Sequence, residues 1–540
     1  MRKTLSTSCI FITALATGCG DDAGGEDTGS SGETTAVTST GEEPTTGEPF
    51  VPFPARGGIV ITAVEANPGV AVPIGKDGGP VGGAERNAFI PKNRDTLIRV
   101  FTDVPDDWTP RRIEARLQLT GGGVDTTLSH TVLIEKDTFA GQLDSGFYFG
   151  LTADLVVPGL KYQIELWEAE PGQEGLPDQG TPRALNDGPT FVGVESEFSE
   201  LRVVLVPVDY KFGSCAKLVD GEAHRKSFED ALFQQNGIES LEMTIHAPYK
   251  VDYDMVSFNG LSRLVNEMSQ LRTAEGADDN VYYYGLFDSC NGCIGDGGLG
   301  GGCTVGLAAN ITGADPSDAR DRAAVGQLIG NPAETFVHEI GHTQGRQHVY
   351  CAGAGVQAQG TDPSYPYEDG RIGVWGFGVR DYQMRHPTAN SDYMSYCGKV
   401  WVSDWQWNAT YSRIVALSKW AKSGAGQPAE EHGATGVLIG AVDPNGEQMW
   451  WTGPGGLSSS RELSATHSVV FQFADGEVEV AAQVSIREHY ATRNIVAALP
   501  AGFDERELVG VKLRDQAGVH PVAAASIRRL HRPDHLQSAK

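Results

Sequence analysis

Cysteine is scarce in this chain of 540 residues, numbering eight, cations are outnumbered by acids, and long apolar runs are missing. Each shortage excludes something. No run after residue 16 approaches the roughly 20 apolar positions that a helix needs to cross a bilayer, so no transmembrane helix is expected. Lys and Arg total 42 against 70 Asp and Glu, a formal charge of −28. That balance argues against nucleic acid or an anionic lipid surface as a partner and favours solubility outside a cell. The cysteines beyond Cys19 are Cys215, Cys290, Cys293, Cys303, Cys351 and Cys397, all in the middle of the chain. An even set in an exported protein reads as disulfides. A monomer is expected.

The chain begins with the basic Met1-Arg2-Lys3 and a short apolar stretch over 4–16. Leu15-Ala16-Thr17-Gly18-Cys19 then resembles a bacterial lipobox, with cleavage before Cys19 and lipid on its sulfur. Residues 1–18 therefore read as a lipoprotein signal peptide, an ordinary secretory signal being the alternative. Between Gly20 and Pro49 lie eight carboxylates and no Lys or Arg. Such a segment cannot bury enough apolar surface to order itself, and its like charges keep it extended, so 19–50 is a disordered acidic linker. The expected location is the bacterial envelope, at the outer membrane, in the periplasm or on the cell surface. The lipid would be the sole contact with the membrane.

The most informative stretch is Asn331 to Cys351, NPAETFVHEIGHTQGRQHVYC. His338 and His342 are four apart, so on a helix their imidazoles share one face a turn apart and can reach one ion. Asn331 suits the N-cap, Pro332 the first helical position, and Glu334 the positive end of the helix. Gly345 can end the helix and turn the chain so that His348 becomes a third ligand. Three neutral nitrogens leave a fourth position on Zn²⁺ open for water, as in catalytic rather than structural sites. Glu339, beside the first ligand, is placed to take a proton from that water.

His338, Glu339, His342, Gly345 and His348 make the pattern HExxHxxGxxH, and HEIGHTQGRQH resembles the zinc signature of the metzincin metalloproteases. The run of small residues and cysteines before the helix resembles bacterial secreted members, including reprolysin-like and mucin-cleaving groups. The resemblance implies a methionine turn beneath the metal, for which Asp392-Tyr393-Met394-Ser395-Tyr396-Cys397 offers Met394. It also implies that Tyr396 can stabilise the oxyanion. A core gap-filler is the less favoured alternative for Met394. Cys351 lies three residues past His348 and Cys397 three past Met394. Since both flank one metal, they are expected to pair. Cys290, Cys293 and Cys303 with Cys215 stay unassigned, a second zinc being the less favoured alternative to disulfides.

The remaining chain divides by period and turn signals. From 51 to 200 it reads as an immunoglobulin-like β-sandwich, with strands at 59–64, 96–101, 113–119 and 162–167, acting as a spacer. From 201 to 425 strands at 201–208, 241–247 and 281–287 alternate with helices at 222–235 and 258–271. An edge strand at 305–310, a last strand at 322–328 and a closing helix at 411–421 complete a metzincin-like α/β catalytic domain with a twisted mixed sheet. An extended peptide can pair with such an edge. From 426 to 540, Asn-Gly and Asp-Gly turns between apolar runs indicate a second, accessory β-sandwich. Its Trp450 and Trp451 are expected in the core rather than on a glycan. Asp315, Asp318 and Asp321 lack EF-hand spacing, so Ca²⁺ is unsupported and a solvated loop is expected. The fold class is thus α+β multidomain, the catalytic domain flanked by two β-sandwiches.

The expected activity is zinc-dependent endopeptidase action on extracellular proteins or glycoproteins. A catalytically silent lipoprotein serving as adhesin or glycan-binding module is the alternative. The intact ligand set with Glu339 speaks against it, because a pure binder needs no base.

Overall fold

Alternation at period two is strongest in Arg111–Gly121, and there it becomes a strand with Ile113, Ala115, Leu117 and Leu119 wholly buried. In the computed structural model the described residues are 50–255, 258–290, 304–354, 358, 360–423, 436–444, 446–453, 455–487, 492–503 and 506–529. Cys19, the expected lipidation site, the expected linker up to 49, Cys293 and Cys303 lie outside them. Val51–Lys540 forms one compact unit. It is β-rich, built from several sheets with a few helices.

The first region packs two five-stranded antiparallel sheets. One centres on Val60–Asn67 and Thr96–Asp103, the other on Arg111–Gly121, Val124–Ile134 and Lys161–Glu168. Val64, Ile98 and Phe147 of one meet Leu117, Ile164 and Leu166 of the other in a shared core. This sandwich packs against the central region. Its fully buried Arg94 donates to the carbonyls of Pro68 at 2.7 Å, Ile238 at 3.0 Å and Phe233 at 2.8 Å. Its guanidinium also lies over the Phe233 and Trp407 rings, so it locks the sandwich onto the central region.

Among the described residues that region holds four α-helices, α1 (Gly221–Gln234), α2 (Phe258–Ala274), α3 (Pro332–Thr343) and α4 (Asp404–Ser423). Its sheet has Glu200–Phe212 parallel to Ser240–Ile245 and to Val281–Phe287, which is parallel in turn to Ala323–Gln327. Gly306–Ala308 runs antiparallel at the margin, in register Gly306↔Gly326. Val281–Phe287 is buried on both faces, which is why it reads as a continuous apolar run. Val281, Tyr283 and Phe287 meet Leu261, Leu264 and Met268 of α2, while Tyr282, Tyr284 and Leu286 face the side of Phe228 and Phe336 on α1 and α3.

Three expectations need correction. The edge strand is Gly306–Ala308, shorter than 305–310, because the Ala309 carbonyl turns to Arg487 and Asn494. The closing helix starts at Asp404, not 411, because Ser403 Oγ accepts from Gln406 N at 3.2 Å and caps it. The C-terminal region is one continuous eight-stranded sheet, not two sheets of a sandwich. The eleven-residue strand Gly476–Ile486 pairs through one half with Ser468–Phe473 and through the other with Arg493–Ala498, joining both halves over a common core. Trp450 and Trp451 are each 2% exposed, one on each face of that sheet, so neither offers a surface to a glycan.

Candidate metal centre

Asn331 Oδ1 accepts from Glu334 N at 3.4 Å and Pro332 occupies the first turn, so α3 begins where its sequence directs. It ends in a Schellman turn. Gly345, at φ +83°, donates to His342 O at 2.8 Å, and Arg346 N donates to Gly341 O at 3.0 Å. The left-handed residue must be glycine for a second reason: a methyl group there would stand 2.7 Å from the Thr312 carbonyl. The reversal brings His348 back beside the helix. One ring nitrogen from each of His338, His342 and His348 lies within 4.8 Å of the others, the sole grouping of three or more metal-binding side chains among the described residues.

Two of the three imidazoles are held in a defined tautomer. His338 Nδ1 is 2.8 Å from the Tyr393 carbonyl and His342 Nδ1 is 2.8 Å from the Arg346 carbonyl. A carbonyl can only accept, so each Nδ1 carries the proton and each neutral ring presents an unprotonated Nε2. Those two Nε2 atoms are 3.1 Å apart. Two lone pairs facing at that distance repel unless a cation lies between them. Burial, with His348 alongside, pushes the His338 pKa down to about 3, so a proton is a poor candidate for that cation. The donor set and its backbone acceptors suit a divalent metal with imidazole affinity.

Around the histidines the other expected residues gather. Glu339 is 3% exposed, and its carboxylate rests on the edge strand: a methyl group on Gly306 would be 2.5 Å from Oε1. Met394 is wholly buried under the helix, its sulfur 2.5 Å from where a methyl group on Gly341 would sit. The half-buried Tyr396 ring lies 4.7 Å from His348 and 5.8 Å from His338. Cys351 and Cys397 form a disulfide that joins the chain beyond His348 to the chain beyond Met394. Cys215 pairs with Cys290.

Asp315, Asp318 and Asp321 do not converge. Asp315 accepts from Ser317 and Ser459, Asp318 from Gly313 N, and Asp321 from Asn310, so the three serve hydrogen bonds within and between loops. Sequence reasoning missed the carbonyls of Tyr393 and Arg346, and the role of Asp392. The buried Asp392 accepts from Met394 N at 2.9 Å and from Ser403 Oγ at 2.6 Å, shaping the turn under the site, and burial pushes its pKa up to about 6. An acid two residues before the turn methionine was the available signal.

No family profile and no curated protein matches this chain. A solved structure described as a chaperone-substrate complex aligns with 50% of this chain and 39% of its own length, at 11% identity and a TM-score of 0.21. A likeness that slight carries no argument about fold or function.

Proposed function

We infer that the protein is a zinc endopeptidase of metzincin type. The observation that carries this reading is the convergence of one ring nitrogen from each of His338, His342 and His348 within 4.8 Å of the others. His338, His342 and His348 would hold the ion. Zinc there supplies a Lewis acid that lowers the pKa of water and polarises a peptide carbonyl. Glu339 takes the proton from the attacking water and passes it to the leaving amine. The Tyr396 hydroxyl donates to the oxyanion. Gly306–Ala308, lying against Glu339, receives the extended substrate by backbone pairing. A sheet with parallel strands at its centre and with Gly306–Ala308 and Cys215–Leu218 antiparallel at its two margins supports the same reading. The substrate class is protein or glycoprotein outside the cell, and the protein would be held at the bacterial envelope by lipid on Cys19.

The test is metal analysis of purified protein together with a peptide-library digest, with and without chelator. About one zinc per chain and chelator-sensitive cleavage are expected, with Glu339→Ala retaining zinc and losing cleavage. Equal cleavage by Glu339→Ala would refute the assignment.

A further inference from the structure

The chain leaving the edge strand is gripped at successive residues. The Ala309 carbonyl accepts from Arg487 Nε at 3.1 Å and from Asn494 Nδ2 at 3.1 Å. Asn310 Nδ2 donates to Ser485 Oγ at 3.0 Å, and the Ile311 carbonyl accepts from Arg461 Nη2 at 3.0 Å. The central region holds the same stretch as well: Ala309 N donates to Ala323 O at 2.8 Å, Asn310 Nδ2 to Asp321 Oδ2 at 3.3 Å, and the Thr312 carbonyl accepts from Arg413 Nη1 at 2.6 Å while its hydroxyl donates to Thr343 O at the end of α3. Arg487 is 2% exposed and also donates to Ser262 Oγ of α2 at 2.8 Å and to Asn494 Oδ1 at 3.2 Å. A burial of this kind is tolerated only when the guanidinium's donors are satisfied, so the C-terminal sheet and this segment fit one another specifically.

We propose that the C-terminal sheet is the positioning element of the edge strand, Arg487, Asn494 and Ser485 holding its exit so that its backbone meets substrate at a set distance from Glu339. The proposal rests on the peptidase reading above. Gly306 at the start of the strand touches Glu339, and Thr312 just past its end touches α3, so a displaced exit shifts the strand against the base. Hydrogen bonds to a paired peptide weaken steeply as they lose alignment, and each added substrate residue multiplies the loss.

The test uses the full chain with Asn494→Ala and Arg487→Lys, plus Ser485→Ala, which removes the half-buried hydroxyl that accepts from Asn310 and Arg461, should either of the first two not fold. Hydrogen–deuterium exchange of amides 306–312 is expected to rise about tenfold or more, with α1 and the N-terminal sandwich unchanged. Unchanged exchange in folded variants overturns the proposal whether or not the protein cleaves peptides. With peptides lengthened stepwise on each side of the cleaved bond, the variants should lose about tenfold in kcat/KM on the longest, through KM, and progressively less on shorter ones. A loss independent of length overturns the positioning role. A wild-type protein that cleaves no peptide overturns the peptidase reading instead, and the exchange result alone then decides the clamp.

Discussion

Gly341 of α3 lies directly on Met394, with no room for a side chain between the helix and the sulfur beneath it. In an isolated helix Ala would be favoured over Gly by about 0.8–1 kcal/mol. Here the added methyl must push into a buried sulfur, and such overpacking costs about 1–3 kcal/mol. Gly341→Ala is therefore expected to lower Tm and weaken zinc retention, and truncating Met394 to Ala in the same chain should recover part of the metal affinity. Calorimetry and dialysis against a zinc buffer read both. A raised Tm in Gly341→Ala would show that the helix does not bear on the turn.

Gly306 gives a test of Glu339 that leaves Glu339 in place. A methyl group at Gly306 would come 2.5 Å from the Oε1 atom and 2.7 Å from Cγ, so the carboxylate must move. A displacement near 1 Å at a reacting group costs about 100-fold in rate. Gly306→Ala should lose cleavage on that scale in kcat while keeping its full complement of zinc. Metal analysis beside steady-state kinetics separates this from damage to the histidines.

Acid should destabilise the metal-free protein over a defined window. The folded pKa of His338 is depressed to about 3 from an ordinary 6.5, so the unfolded chain takes up the proton first. Stability is full above about 6.5 and is lost as pH falls from there toward about 3. Urea midpoints measured in chelator between about pH 7 and about pH 4 should fall, and His338→Ala should flatten the profile. An equally steep profile in that variant would place the effect elsewhere.

The Cys351–Cys397 disulfide closes a loop with a sequence separation of 46. Loss of that constraint is expected to cost about 2–4 kcal/mol. Since the bridge ties the ends of His348 and Met394 segments together, Cys351→Ser should also release zinc faster. Denaturant midpoints and stopped-flow metal transfer to a chelating dye check the two effects. An unaltered release rate would mean the third histidine is held without the bridge, by the Gly345 turn and the backbone bonds of His348 and Val349 to Asp362 and Met394.

Much of the architecture was legible because it depends on local rules. Asn331, Pro332 and Gly345 bound α3 as their capping chemistry requires, and the apolar run 281–287 is the strand that lies between two layers. The start of α4 was also written locally, in Ser403 and Gln406 at capping-box spacing, but the apolar stripe further along drew the boundary to 411. The continuous C-terminal sheet was not legible. Period-two alternation reports that a strand has two faces, and says nothing of which strand one half of Gly476–Ile486 will pair with.

What the chain determined by itself is the helix, its caps, the left-handed turn, and hence which three imidazoles can share a face. Those follow from spacing and backbone preference over some twenty residues, where no distant partner has a vote. The tertiary structure decided the rest: that the Tyr393 and Arg346 carbonyls fix the tautomers, that Gly306 lies under Glu339, and that Arg94 and Arg487 weld the flanking sheets to the centre. Contacts between residues far apart in sequence depend on where whole elements come to rest, and a one-dimensional pattern carries no record of that.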